Sequence, residues 1–99
     1  MKIEIKNIRG NPADLLRRAG YIFQSRKEDE MGFVRPLSSS GYPRFHIFTR
    51  VVGGNLIINI HLDQKKETYG EAKRHHGEYE SAIIKEEAER IASVLRPVE

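Results

Sequence analysis

No cysteine occurs in the chain, which excludes disulfides and every thiolate metal site. A metal would have to sit on histidine and carboxylate. Long apolar runs are missing too: no stretch approaches the roughly 20 residues needed to cross a bilayer. The opening segment, MKIEIKNIRG, lacks the apolar centre of a secretory leader, so a cytoplasmic protein with no membrane partner is expected. The familiar catalytic signatures, G-x-S-x-G, the P-loop, G-x-G-x-x-G and H-E-x-x-H, do not occur. No resident cofactor is therefore expected from motif content.

What the chain does have is the composition of an ordinary folded domain. Its 99 residues are 38% hydrophobic and 31% charged, too polar for a membrane span and too rich in patterned Ile, Leu, Phe and Tyr for disorder. That length fits a single domain over residues 1–99, with one core between a sheet and a layer of helices. The formal net charge of +3 permits a polyanionic partner without requiring one.

Residues 2–8 alternate apolar and charged side chains and predict a short strand with one buried face. Asn11-Pro12-Ala13-Asp14 supplies an N-cap type, a proline at the first helical position and an acid in the first turn. The helix that follows ends at Gly20 and buries Leu15, Leu16 and Ala19. Tyr21–Gln24 and Met31–Arg35 predict a hairpin with a polar turn at Lys27–Glu30. Breaker residues between Pro36 and Pro43 lead into the central hairpin. After Asp63 the pattern vanishes for about 17 residues, longer than most connections inside a compact domain, with a helical turn around Tyr69–Arg74 compatible with the sequence. Helical periodicity resumes near Ser81, where Ile84, Ala88, Ile91 and Leu95 form one stripe. Lys85 with Glu89 and Glu86 with Arg90 are spaced as solvated i,i+4 pairs.

The most informative stretch is PRFHIFTRVVGGNLIINIHLD, Pro43–Asp63. A two-residue turn at Gly53-Gly54 pairs Val51 with Leu56, Thr49 with Ile58, Ile47 with Ile60 and Phe45 with Leu62, one apolar face. The alternate pairs, Arg50 with Ile57, Phe48 with Asn59, His46 with His61 and Arg44 with Asp63, point the other way. A slip of one residue would split the apolar set between both faces, so this register is favoured. The expected architecture is α+β: a mostly antiparallel sheet of four to five strands in the order β-α-β-β-β-β-α, with two helices on one face. The helical stripes match the apolar face, which leaves the histidine face open.

Facing imidazoles suit acid–base chemistry, metal ligation or phosphate binding, and His46 and His61 are the candidate catalytic pair. Arg44, Phe48 and Arg50 on the same face, with Lys65, Lys66, Lys73 and Arg74 beyond it, provide the cations and the aromatic that RNA requires. The alternative is a zinc-type site of His46, His61, Asp63 and His75 or His76. A third reading is a non-catalytic interaction module, in which the open sheet or an edge strand pairs with a protein partner or a second copy of the chain.

Two segments also carry a resemblance. Leu15-Leu16-Arg17-Arg18-Ala19-Gly20-Tyr21 and Phe45-His46-Ile47-Phe48 resemble the first helix and the histidine strand of HicA-type toxins, small domains of the double-stranded-RNA-binding kind that cleave messenger RNA. The resemblance covers roughly residues 12–62 and implies that His46 acts as general acid or base on a ribose 2′-hydroxyl. The glycine and serine that precede the histidine in that family stand here as Arg44 and Phe45. His61-Leu62-Asp63-Gln64-Lys65 and His76-Gly77-Glu78-Tyr79 resemble segments of small uncharacterised bacterial proteins, which implies no activity.

Overall fold

In the computed structural model, residues 1–64 and 77–97 are described. They form β1 (Lys2–Ile5), α1 (Pro12–Arg18), β2 (Ile22–Lys27), β3 (Glu30–Pro36), β4 (Arg44–Val52), β5 (Asn55–Asp63) and α2 (Gly77–Leu95). The five strands make one antiparallel sheet in the order β1-β5-β4-β3-β2. Among the described residues no helix is long and apolar enough to cross a membrane.

Local chemistry sets the element ends. The Asn11 side chain accepts hydrogen bonds from the Ala13 and Asp14 amides at 2.8 and 3.4 Å, which satisfies two donors that the first turn leaves without partners. Pro12 opens α1 where its missing N–H costs nothing. Gly20, at φ +95°, closes it in a left-handed conformation suited to glycine. At the central hairpin both Gly53 and Gly54 have positive φ, 58° and 84°. That is the type I′ turn, whose twist matches that of the flanking strands.

The register then follows. Val51 faces Leu56, Thr49 faces Ile58, Ile47 faces Ile60 and Phe45 faces Leu62. The inward members Ile47, Leu56, Ile58 and Ile60 are completely buried with Leu16 and Ile91. Both helices contribute to this single core, α1 through Leu15, Leu16 and Ala19 and α2 through Ala88, Ile91 and Leu95. Thr49, on the same face, is buried and donates its hydroxyl to the Met31 carbonyl at 3.2 Å.

Three of the boundaries that differ from the expectation have a clear physical reason. Strand β1 stops at Ile5, because Asn7 turns into the left-handed region at φ 56°. Strand β2 runs on to Lys27: as an exposed edge strand it has no buried face to leave an alternating pattern. Helix α2 begins at Gly77, four residues before the periodicity does, and its Tyr79 is 65% exposed. With Tyr79 in solvent, no apolar stripe marks this end of the helix. The expected helical turn near Tyr69–Arg74 lies outside the described residues.

An ionic cluster joins the layers. Glu87 of α2, 4% exposed, accepts from Tyr21 Oη at 2.7 Å, from Arg35 Nη1 at 3.3 Å and from Arg90 Nε and Nη2 at 2.9 Å each. Arg90 Nη2 also donates to the Ala19 carbonyl at the end of α1 at 2.6 Å. Arg90 therefore pairs with Glu87, three residues back and inward, rather than with Glu86 on the solvated side. Burial first, and then the hydrogen bond to Glu87, pushes the Tyr21 phenol far above its ordinary range. The bond to Glu87 raises Arg90 as well.

Candidate functional site

With both helices on the face of Ile47 and Ile58, the opposite face of β4 and β5 carries Arg44, His46, Phe48 and Arg50 beside Ile57, Asn59, His61 and Asp63. His46 stands directly opposite His61, and Arg44 directly opposite Asp63. The sequence-derived candidates Arg44, His46, Phe48, Arg50, His61 and Asp63 thus share one surface. Lys65, Lys66, Lys73, Arg74, His75 and His76 lie outside the described residues.

Asp63 organises one end of this surface. Its Oδ2 accepts from Arg44 Nε at 3.4 Å and lies 3.2 Å from His46 Nδ1. The Arg44 guanidinium stacks 4.7 Å from the centre of the Tyr42 ring, a cation–π contact that fixes the arginine beside the carboxylate. Arg44 is thereby engaged through one face of the guanidinium and through its Nε edge. Arg50, by contrast, is exposed, and no carboxylate pairs with it among the described residues.

Phe48 packs against both imidazoles. Its ring centre is 4.5 Å from that of His46 at a 34° tilt, and 5.8 Å from that of His61 in an edge-on contact. The neighbour of Phe48 on β3 is Gly32, a position that the sequence alone did not single out. A Cβ at Gly32 would lie 2.7 Å from Ser25 Oγ, 3.7 Å from His46 Nε2 and 3.8 Å from Phe48 Cδ1. The absent side chain makes the hollow over which the His46 and Phe48 rings lean.

The two histidines differ in access. His61 is exposed, whereas the His46 side chain is 18% exposed. With Nδ1 donating to Asp63, Nε2 is the nitrogen left for a second bond. Among the described residues it is buried and without a hydrogen-bond partner, an arrangement that typically costs about 1–3 kcal/mol.

The metal reading draws on residues inside and outside the described segments. Among the described residues no three His, Asp or Glu side chains gather as a metal group, so His46, His61 and Asp63 do not form one by themselves. Asp63 is engaged by Arg44 and by the near ring nitrogen of His46, and Phe48 fills space against both rings. His75 and His76, the further ligands of that reading, are outside the described residues.

Sequence reasoning also missed Tyr42 and the Glu87 cluster. Arg35 carried a usable signal: it shares strand parity with Met31 and Phe33, which face the helices, so it needed an anion from the helical layer. No family model matches the chain, and neither a curated protein nor a solved structure matches it.

Proposed function

We propose that the protein is a small cytoplasmic RNA-binding domain that takes a single strand across the open face of β4 and β5. The observation that supports this most directly is the placement of Phe48 on the uncovered face, flanked by His46 and His61, with the exposed Arg50, which pairs with no carboxylate among the described residues, one pleat further along. An aromatic platform beside a cation meets the physical need of a single strand: bases stack on the ring and phosphates meet the guanidinium. Asn59 and His61 add hydrogen-bonding groups on the same face, a type of group that a ribose 2′-hydroxyl can pair with. The resemblance of residues 12–62 to HicA-type domains points the same way.

Strand cleavage is the second reading, favoured by the direct opposition of two imidazoles, one held by a carboxylate. One imidazole would take the 2′-hydroxyl proton as that oxygen attacks phosphorus. The bond to the 5′-oxygen breaks, the opposing imidazolium protonates the leaving oxygen, and a 2′,3′-cyclic phosphate remains. The enclosure of His46 Nε2 works against this route, because the ring must move before its free nitrogen meets substrate. Binding is the better supported of the two.

Fluorescence anisotropy with a labelled single-stranded RNA, titrated with salt, tests the proposal. Binding should weaken steeply with salt, and Phe48→Ala should lower affinity by about tenfold, the scale of one lost base stack. Arg50→Ala should weaken binding and flatten the salt dependence. Absence of binding by folded protein at low salt, or full affinity in Phe48→Ala, would overturn it. Cyclic-phosphate ends in the same samples, lost in His61→Ala and with a 2′-deoxy substrate, would shift the conclusion to cleavage.

A further inference from the structure

Strand β1 is one edge of the sheet, and beneath it a groove of about 520 Å³ opens between β1 and α2. Its floor includes Ile3, Ile5, Ala88 and Ala92, and Lys85 and Glu89 of α2 stand along its rim. We propose that a second copy of this chain docks here, with β1 pairing antiparallel to β1 across a two-fold axis through Ile3.

The backbone decides which groups face outward. The Met1 amino group donates to the Ile60 carbonyl at 3.0 Å, and the Ile60 amide donates to the Met1 carbonyl at 2.7 Å. Because antiparallel bonding alternates along a strand, Ile3 and Ile5 also aim their amides at β5, while Lys2 and Glu4 aim theirs at the open edge. A symmetric ladder must therefore pair even-numbered residues. Pairing Lys2 with Glu4 of the second copy does this twice, joins opposite charges at both ends, and sets the two Ile3 side chains face to face over the groove.

The neighbouring registers fail. Centring the axis on Glu4 opposes Glu4 with itself, and centring it on Lys2 opposes two ammonium groups. Both are destabilising for like charges directly across a ladder. Centring on Ile5 brings in Asn7, whose left-handed φ of 56° ends the extended chain. On the helical side the same axis runs α2 antiparallel to its copy, and each groove carries both a lysine and a glutamate of that helix, Lys85 and Glu89. Charges on an edge ordinarily prevent pairing; the alternation Lys2-Ile3-Glu4 permits it for one partner, the chain itself. The opposite edge lacks this property, because β2 carries a bulge between Phe23 and Ser25 that breaks its ladder.

Sedimentation equilibrium of the full chain over a wide concentration range, with the chain starting at Met1 and carrying no added N-terminal residues, tests the inference. The wild-type protein should show a reversible monomer–dimer equilibrium. Lys2→Glu and Glu4→Lys should each weaken the dimer by about tenfold or more, since each creates two like-charge pairs. The double variant Lys2→Glu/Glu4→Lys should recover it, because the swap restores both pairs. Lys2 is exposed and outside the core, so its variant reports on association even where Glu4→Lys disturbs the Asn55 bond to Glu4. A monomer at all concentrations would overturn the proposal. So would a dimer indifferent to both single variants, or a folded double variant that stays monomeric.

Discussion

Glu87 shows how much one buried charge can organise. It receives a phenol from the residue after Gly20, a guanidinium from β3 and another from its own helix, and thereby joins both helices to the sheet. Replacing it with alanine strands Arg35 and Arg90 beside an apolar wall. Their side chains are 30% and 37% exposed, so water partly compensates, and the expected loss is about 2–3 kcal/mol, measurable by urea denaturation. Tyr21 makes the same cluster sensitive to alkali. Its folded-state pKa lies above its ordinary value of 10.0, so between the two the unfolded chain has released a proton that the folded chain keeps. The associated stability is complete below pH 10 and falls as pH rises beyond it, by up to about 1.4 kcal/mol per pH unit. Tyr21→Phe should remove this component, and the difference between the two proteins' stability–pH curves above pH 10 measures it. The stripe logic could have found Glu87, which sits three residues after Ile84 and four before Ile91. The i,i+4 spacing drew Arg90 toward Glu86 because solvated pairs are read from spacing alone, whereas a buried carboxylate is recognised only by the partners that other elements bring.

At the scale of elements, the central hairpin was the most legible part of the chain, because two independent constraints agreed. Strand parity demanded that Phe45, Ile47, Ile58 and Ile60 share a face, and the two glycines allowed the turn that delivers this. All nine pairs from Arg44–Asp63 to Val52–Asn55 follow from it, and so does the shared face of His46, His61 and Phe48. The turn is testable in its own right. Gly54→Ala places a Cβ at φ 84° and should cost about 1–2 kcal/mol. Gly53→Asn, a residue that tolerates the left-handed region, should stay within about 0.5 kcal/mol. Equal thermal shifts in the two variants would argue that the turn does not hold the register. Less legible were the packing partners that shape the open face. Gly32 reads in sequence as a weak point in β3, and its use as the hollow beside His46 and Phe48 emerges only from the cross-strand neighbours. Tyr42 sits in a segment of breaker residues that gives no hint of the arginine stacked on it.

For the molecule as a whole, a one-sided helical layer leaves a broad open face and two edges, and the two proposals meet there. A two-fold axis at the β1 edge runs perpendicular to the sheet, so both open faces would lie on one side and both α2 helices on the other. Counting from β4 through β5 and β1 to their copies, the two Phe48 platforms would be five strand spacings apart, on the order of 24 Å. A strand that reaches both would bind with the gain of an intramolecular second step. The affinity ratio between an RNA of about 20 nucleotides and one of about 6 should therefore exceed the simple count of sites in the wild-type protein. It should collapse in Lys2→Glu and in Glu4→Lys alike. These two substitutions change net charge in opposite directions, so a loss shared by both cannot come from phosphate attraction, which would move their affinities apart. Anisotropy titrations above and below the dimer dissociation constant give the ratio directly. A long-RNA advantage that survives in both variants would place the second contact within one chain rather than across the β1 edge.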